Sequence, residues 1–237
     1  MLYNLRPYSP SGLKTFMKCP AQFKAKYIDK TVTFTQSDAA ARGERLHMLM
    51  ENYINTGVQP DWPDEVSRAY ALGFMKAISH ARSQGWEFSA ELALGMDGTF
   101  TDGDYNDCNY LRCRIDAIAT RPDTDFALIL DWKTGKKYEA DRLQLQVNAV
   151  CAAAHTGLRR FVMAFCYLDS GDVVSQEVVV PEQIGDWKDA PGLEDAGKAF
   201  MAVERACVQG VRGFPKVRNR FCRWCPVETC MYAGSRQ

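Results

Sequence analysis

The chain has 237 residues, 46% of them hydrophobic and 24% charged, and its 29 basic and 29 acidic residues cancel to a formal charge of zero. This length can bury a sizeable core. The lack of any apolar run of spanning length excludes a membrane helix, and the lack of repeats or low-complexity tracts excludes solenoid and disordered classes.

Charge is unevenly spread. Residues 1 to 30 carry six Lys/Arg against one acid and residues 204 to 237 seven against two, whereas 31 to 203 carry 16 against 26. If the two ends meet, they form a basic lobe suited to a nucleic-acid backbone.

In chain order, residues 10 to 28 read as a helix. A second helix over 38 to 55 follows a cap at Ser37 or Asp38, with Leu46, Leu49, Met50 and Tyr53 inward. His47 and Glu51, four apart, share one flank of it, either as a helix ion pair or facing a cleft. A third helix spans 63 to 83, with Ala69, Leu72, Gly73, Met75 and Ala77 as its packing face. Strands follow at about 87 to 96, 109 to 120 and 125 to 134. A helix from Tyr138 to His155 places Leu143, Val147 and Val150 on the sheet and turns Gln144 the other way. Phe161 to Leu168 and Val173 to Val180 form a hairpin about Ser170-Gly171-Asp172. Pro181 to Pro191 is turn-rich, and 193 to 209 is the last helix.

The chemistry concentrates on the middle strands. Phe126 to Leu130 is an apolar run of strand length, as in a central strand covered on both faces. Asp131 and Lys133, two apart at its end, share a face. A carboxylate in such a place is costly to bury without a cation. On the preceding strand Leu111, Cys113 and Ile115 alternate with Arg112, Arg114 and Asp116, and the turn Arg121-Pro122-Asp123-Thr124-Asp125 folds Asp116 back towards Asp131. Two converging acids bind Mg2+ or Mn2+, and a lysine beside them can orient water and offset charge developing on phosphorus. A bare D-x-K triplet also occurs as a solvated ion pair.

Cys222, Cys225 and Cys230 form a C-x2-C-x4-C array that gathers thiolates around one metal centre and needs a fourth ligand; spacing alone does not separate iron-sulfur from zinc. Cys113, Cys151 and Cys166 sit in apolar contexts as core residues; Cys108 and Cys207 carry no assignment. The odd count of nine, with no signal peptide, favours a reducing cytoplasm.

Together these motifs resemble the PD-(D/E)XK nuclease superfamily, in particular RecB-like exonucleases with an iron-sulfur cluster, including CRISPR-adaptation and AddB-type nucleases. Tyr8-Ser9-Pro10-Ser11-Gly12-Leu13 with Phe16, Cys19-Pro20, Phe23 and Tyr27 resembles the entry motif. Arg42-Gly43 to His47 resembles R-G-x-x-x-H, Arg114 to Ile118 G-x-x-D, Asp131 to Gly135 D-x-K-T-G, and Gln144 the start of Q-x-x-x-Y. Arg114 replaces one family glycine and Asn148 the tyrosine.

The resemblance implies an α/β fold. Its restriction-endonuclease-like core sheet is flanked by helices and joined to a cysteine-ligated lobe. It implies one nuclease domain over 1–237, with 84–180 as catalytic core and 1–30 plus 204–237 as the lobe. His47, Asp116 and Asp131 are then metal ligands, with the Trp132 carbonyl as a further one. Lys133, Gln144 and Glu91 are catalytic, and Arg42, Arg114 and Lys136 meet nucleic acid. Cys19 completes a 4Fe-4S cluster with Cys222, Cys225 and Cys230, Zn2+ being the alternative. The expected activity is metal-dependent hydrolysis of DNA, as an exonuclease on single strands or ends. A non-cleaving DNA-binding accessory of a recombination, repair or CRISPR-adaptation complex is the alternative, and a helicase, recombinase or integrase the expected partner.

Overall fold

The computed structural model describes residues 7–32, 37–135, 142–182 and 190–235. Its centre is one six-stranded mixed sheet. The strands are β1 (Glu87–Met96), β2 (Asp102–Gly103), β3 (Leu111–Thr120), β4 (Phe126–Lys133), β5 (Arg160–Tyr167) and β6 (Val173–Val179), in the order β2-β1-β3-β4-β5-β6. Every neighbouring pair is antiparallel except β4 and β5. That parallel pair requires a crossover, and α5 (Arg142–Thr156) provides it.

Helices cover both faces, which is why β4 is apolar from Phe126 to Leu130. Ala127 and Ile129 join the larger core cluster with Leu143, Val147 and Val150 of α5 and with α6 (Glu194–Gln209). Leu130 and Trp132 pack on the opposite side with Leu46, Met50 and Tyr53 of α3 (Asp38–Thr56) and Ala71, Met75 and Ile78 of α4 (Glu65–Ser83). The face expected for α4 is corrected here: Ala69, Gly73 and Ala77 are exposed, and Ser67, Ala71, Met75 and Ile78 are buried. Spacings of four, four and three still trace one helical stripe, rotated from the expected one.

The single helix expected over 10 to 28 is three pieces: α1 (Pro10–Lys18), α2 (Pro20–Phe23) and a π-helical turn Lys24–Ile28. The break is at Cys19, extended at φ −162° and ψ 106° because Pro20 disfavours a helical conformation in the residue before it. Breaking the helix there turns the Cys19 thiol towards the C-terminal segment. The Asn219 side chain donates to the Lys18 carbonyl (3.1 Å) and the Ala21 amide to the Pro215 carbonyl (3.2 Å), so the two chain ends do meet.

The C-terminal segment leaves α6 through a 3-10 turn, Gly210–Gly213. A β-carbon on Gly213 would lie 2.3 Å from the Ala206 carbonyl oxygen and 2.5 Å from its α-carbon, both rigid helix backbone. Gly213→Ala is therefore expected to cost about 1–3 kcal/mol, the usual overpacking range. For a chain of this size that lowers the thermal midpoint by about 3–10 °C. A calorimetric midpoint within 1 °C of the parent would contradict the close approach.

Candidate active site

The site is built at an interruption of the sheet. Between β1 and β3 the register runs Ala90 with Ala117 and Leu92 with Ile115, which sets Glu91 opposite Asp116, yet that one step is unpaired. Between β3 and β4 the ladder runs from Ala119–Leu128 to Ala117–Leu130 and stops, so the next step would set Asp116 opposite Asp131. Three carboxylates thus occupy one row across three strands, at the place where the strands cease to pair. Like charges in opposed positions repel, which accounts for the opening.

The backbone bends at the same row. Glu91 is one of three described non-glycine residues in the left-handed region, at φ 51°. Before it Phe88 and Ala90 pack with the α3/α4 cluster, and after it Leu92, Leu94 and Met96 pack with the α5/α6 cluster. Ile115 and Ala117 change sides in the same way. A left-handed residue within a strand reverses which face the alternation serves. It also turns the Glu91 carboxylate into the gap, at a conformational cost typical of functional positions. His47 enters the gap from α3. A ligand atom of each of His47, Glu91 and Asp116 lies within 4.8 Å of the others, the one such set of three found among the described residues. Imidazole nitrogen with two carboxylate oxygens is a donor set for a divalent cation.

Asp131 stands beside this set rather than in it. It is 1% exposed, and its two oxygens are already engaged: Oδ1 accepts from Gln144 Nε2 at 2.5 Å, and Oδ2 is in ionic contact with Lys133 Nζ. Lys133 Nζ also donates to Gln144 Oε1 at 3.2 Å and lies 4.8 Å from the centre of the Phe165 ring. Sharing one face of β4 therefore does place Asp131 and Lys133 together under Gln144 of α5. Asp116 is held separately: its Oδ2 accepts from the Trp132 amide at 2.7 Å and lies 3.3 Å from His47 Nδ1. His47 thus pairs with Asp116, where the sequence had also offered Glu51 on its own helix.

The electrostatics show a site with surplus negative charge. Burial, then the charge of Asp116, pushes the Asp131 carboxyl up to about 6 against the pull of Lys133 and His47. Burial, then Asp116 and Glu51, raises Glu91. Burial works to lower His47, but the hydrogen bond and charge of Asp116, followed by Asp131, outweigh it and raise its pKa. A bound cation would relieve all of these carboxylates at once.

Several placements differ from expectation. Arg42, expected to meet nucleic acid, forks onto Asp169 (Nη1 to Oδ2 3.0 Å, Nη2 to Oδ1 2.7 Å) and reaches Ser67 Oγ (2.7 Å) and Asp64 Oδ2 (3.2 Å). Asp169 also accepts from the Gly135 amide, so Arg42 ties α3 and the start of α4 to the turn that follows Lys133. The guanidinium is engaged in this network, with 37% of the side chain exposed. A β-carbon on neighbouring Gly43 would sit 3.1 Å from Thr134 Oγ1, so the same helix presses on that turn. Arg42→Ala is expected to lower stability by about 1–2 kcal/mol, since Asp64 and Asp169 are partly exposed and rehydrate. Asp169→Asn should lower it less, and equal or larger loss in Asp169→Asn in chemical denaturation would contradict this assignment.

Arg114 is exposed beside the Tyr105 ring (5.2 Å), and Lys136 lies outside the described residues, as do Tyr138 to Asp141 of the expected helix and residues 183–189 of the expected turn-rich connection. Asn148, where the motif has tyrosine, is fully buried, and its side-chain amide has no hydrogen-bond partner among the described residues. The sequence did not point to Lys14 or Asp169. Lys14 Nζ lies 3.5 Å from Gln144 Oε1, and neither residue belongs to a recurrent local pattern that would have flagged it.

A second cluster of ligand types lies in the C-terminal lobe. Cys19, Cys222, Cys225 and Cys230 line one small cavity with Gln22, Val217, Asn219, Phe221 and Ala233. The Asn219 amide donates to Cys222 Sγ at 3.3 Å. Burial, and then the proximity of Cys19, Cys230 and Cys222, pushes the Cys225 thiol up. Cys113, Cys151 and Cys166 are core residues, as expected, and Cys108 and Cys207 are buried too. Tyr8, Phe16 and Phe23 are buried, whereas Phe221 and Trp224 are exposed. No helix among the described residues is long and apolar enough to cross a membrane.

Compared with known families, the chain matches the model of the PD-(D/E)XK nuclease superfamily over residues 7–230. No curated protein matches it. Among solved structures it is similar to the crystal structure of SSO0001 (TM-score 0.46, 13% identity, covering 95% of this chain and 86% of that one). It is also similar to an alkaline exonuclease, LHK-Exo from Laribacter hongkongensis (TM-score 0.34, 11% identity, 87% and 91% covered). The same enzyme in complex with dAMP gives a TM-score of 0.34 at 12% identity, with 87% and 92% covered.

Proposed function

The chain belongs to the PD-(D/E)XK nuclease superfamily, and from that premise we propose that it is a metal-dependent DNA nuclease, acting as an exonuclease on single strands or DNA ends. The observation that carries the reading is the row Glu91, Asp116, Asp131 at the break in the sheet, with His47 and Lys133 on either side of it.

His47, Glu91 and Asp116 fit a divalent ion as they stand, and Asp131 adds a fourth donor when Lys133 releases its Oδ2. Mg2+ or Mn2+ held there supplies Lewis acidity at the scissile phosphate and a more acidic water. Lys133 orients the attacking water and offsets charge on the non-bridging oxygens. Gln144 holds both Asp131 and Lys133 and so fixes the distance between acid and cation. Exposed Arg114 beside this row is a backbone contact for the strand. The test is cleavage of end-labelled single-stranded and duplex DNA with Mn2+, Mg2+ or chelator, with Asp131→Ala in parallel. Cleavage that needs the metal and is lost in the variant supports the reading; binding without cleavage in every condition overturns it.

For the second centre we propose a 4Fe-4S cluster on Cys19, Cys222, Cys225 and Cys230, joining residues 1–30 and 204–237 into one lobe around the 84–180 catalytic core. The four cysteines line one small cavity and together offer a donor set for a thiolate-bound metal centre. The amide donating to Cys222 is the kind of hydrogen bond that tunes cluster thiolates. Anaerobically purified protein should absorb near 400 nm and contain iron and sulfide. Colourless protein holding one zinc would overturn the assignment.

A further inference from the structure

Apart from the acid row and the cysteine cage, α1 borders a cavity of about 430 Å³, within the range of small-ligand sites. Three cations, Lys26, Lys30 and Arg112, and three aromatic side chains, Tyr8, Phe23 and Tyr27, line it with Pro7, Ser9, Gly12 and Leu13, and no carboxylate is among the described lining residues. In a chain with as many acids as bases, a lining with three cations and no acid is a strong local bias. Tyr27 is half-buried, leans on Phe23 with ring centres 4.9 Å apart and has Lys26 Nζ 5.1 Å from its own ring centre, so that a base stacking on it would meet the Lys26 ammonium at the same face or edge. Lys30 is exposed and takes the left-handed conformation, φ 52°, that ends a helix, with the Thr31 amide donating to the Ala25 carbonyl at 2.9 Å.

We propose that this cavity is a pocket for one unpaired nucleotide of single-stranded DNA, its base against Tyr27 and its phosphates on Lys26, Lys30 and Arg112. An aromatic plane beside clustered cations is the chemistry that binds single strands without reading their sequence. Its place in the fold fits the same strand as the acid row. Gly12 and Leu13 line the cavity, and Lys14, the next residue of α1, reaches Gln144 of the catalytic group. The pocket and the acids are thus separated by little more than one helix, about 10 Å across, a reach of two or three nucleotides. The assignment rests on the nuclease reading only for the choice of polymer.

The experiment is fluorescence anisotropy of labelled oligo(dT) with the full chain in EDTA over a series of salt concentrations. Lys26→Ala/Lys30→Ala is expected to bind about tenfold more weakly, with the salt slope smaller by about one to two. Tyr27→Leu keeps the contact with Phe23 and is expected to weaken binding severalfold without changing the slope. An unchanged thermal midpoint in both variants excludes a folding defect. Wild-type affinity in either folded variant overturns the pocket. If the parent never cleaves DNA but binding still depends on the two lysines, the nuclease reading fails and the pocket stands. If the parent cleaves and the lysine variant binds as the parent does, the pocket fails and the nuclease stands.

Discussion

Lys133→Ala is expected to lower DNA cleavage by about two to four orders of magnitude, the range for losing a group that positions or exchanges a proton in the transition state, while leaving DNA affinity in chelator nearly unchanged. The ammonium contacts both Asp131 and Gln144, so truncation removes the cation in direct contact with a carboxylate 1% exposed. A buried carboxylate deprived of its partner is destabilising. The metal-free variant should therefore melt below the parent, and a saturating divalent ion should restore more of the difference than it adds to the parent. That combination separates a catalytic lysine from a merely structural one. A structural lysine would lose stability and activity together, and metal would rescue both. Cleavage within tenfold of the parent in the metal-loaded variant, measured in single turnover, rules out the role given to Lys133.

How far this site could be read in advance varied with how local its causes are. The strand carrying Asp131 announces itself by its apolar run, and β1 falls on the expected residues 87 to 96 because alternation and flanking turn residues are local properties. The hairpin that opposes Asp116 and Asp131 follows from the turn between them. Cys19-Pro20 held a sign of the broken helix, since the residue before proline avoids helical backbone, but the apolar spacing across it suggested continuity. Glu91 enters only through the resemblance. Its left-handed backbone, φ 51°, has no signature in the neighbouring residues. Arg42 and Asp169 are 127 residues apart, so nothing in either neighbourhood marks the pair. The stripe of α4 was misjudged for a similar reason. Small residues such as Ala69, Gly73 and Ala77 fit either face, and the docking partner decides.

Asp131→Asn should make the metal-free protein more stable at neutral pH and reduce the stabilisation that metal provides. In the parent, burial and Asp116 raise the Asp131 carboxyl from its ordinary value to about 6, so ionising it at pH 7 costs the folded state more than the unfolded one. The sign is that of an acid whose folded pKa lies above its unfolded value: stability rises as pH falls from 7 through about 6 and levels off near the unfolded value of about 4. Glu91 and His47, both raised, contribute in the same direction. Asparagine keeps an oxygen for Gln144 Nε2 and removes the buried charge, so at pH 7 it should gain about 1–3 kcal/mol and lose part of the acid-side rise. Lys133 then keeps Gln144 as its partner. Metal acts in the opposite sense: a ligand that binds only the folded state stabilises in proportion to the logarithm of its concentration over its dissociation constant. Losing one of four donors raises that constant and shrinks the metal-dependent rise in melting temperature. Thermal unfolding of parent and variant at pH 5 and 7, with chelator and with Mn2+, gives all four quantities. A variant less stable than the parent in chelator at pH 7, or one with an undiminished response to Mn2+, would remove Asp131 from the metal centre and leave His47, Glu91 and Asp116 to hold it alone.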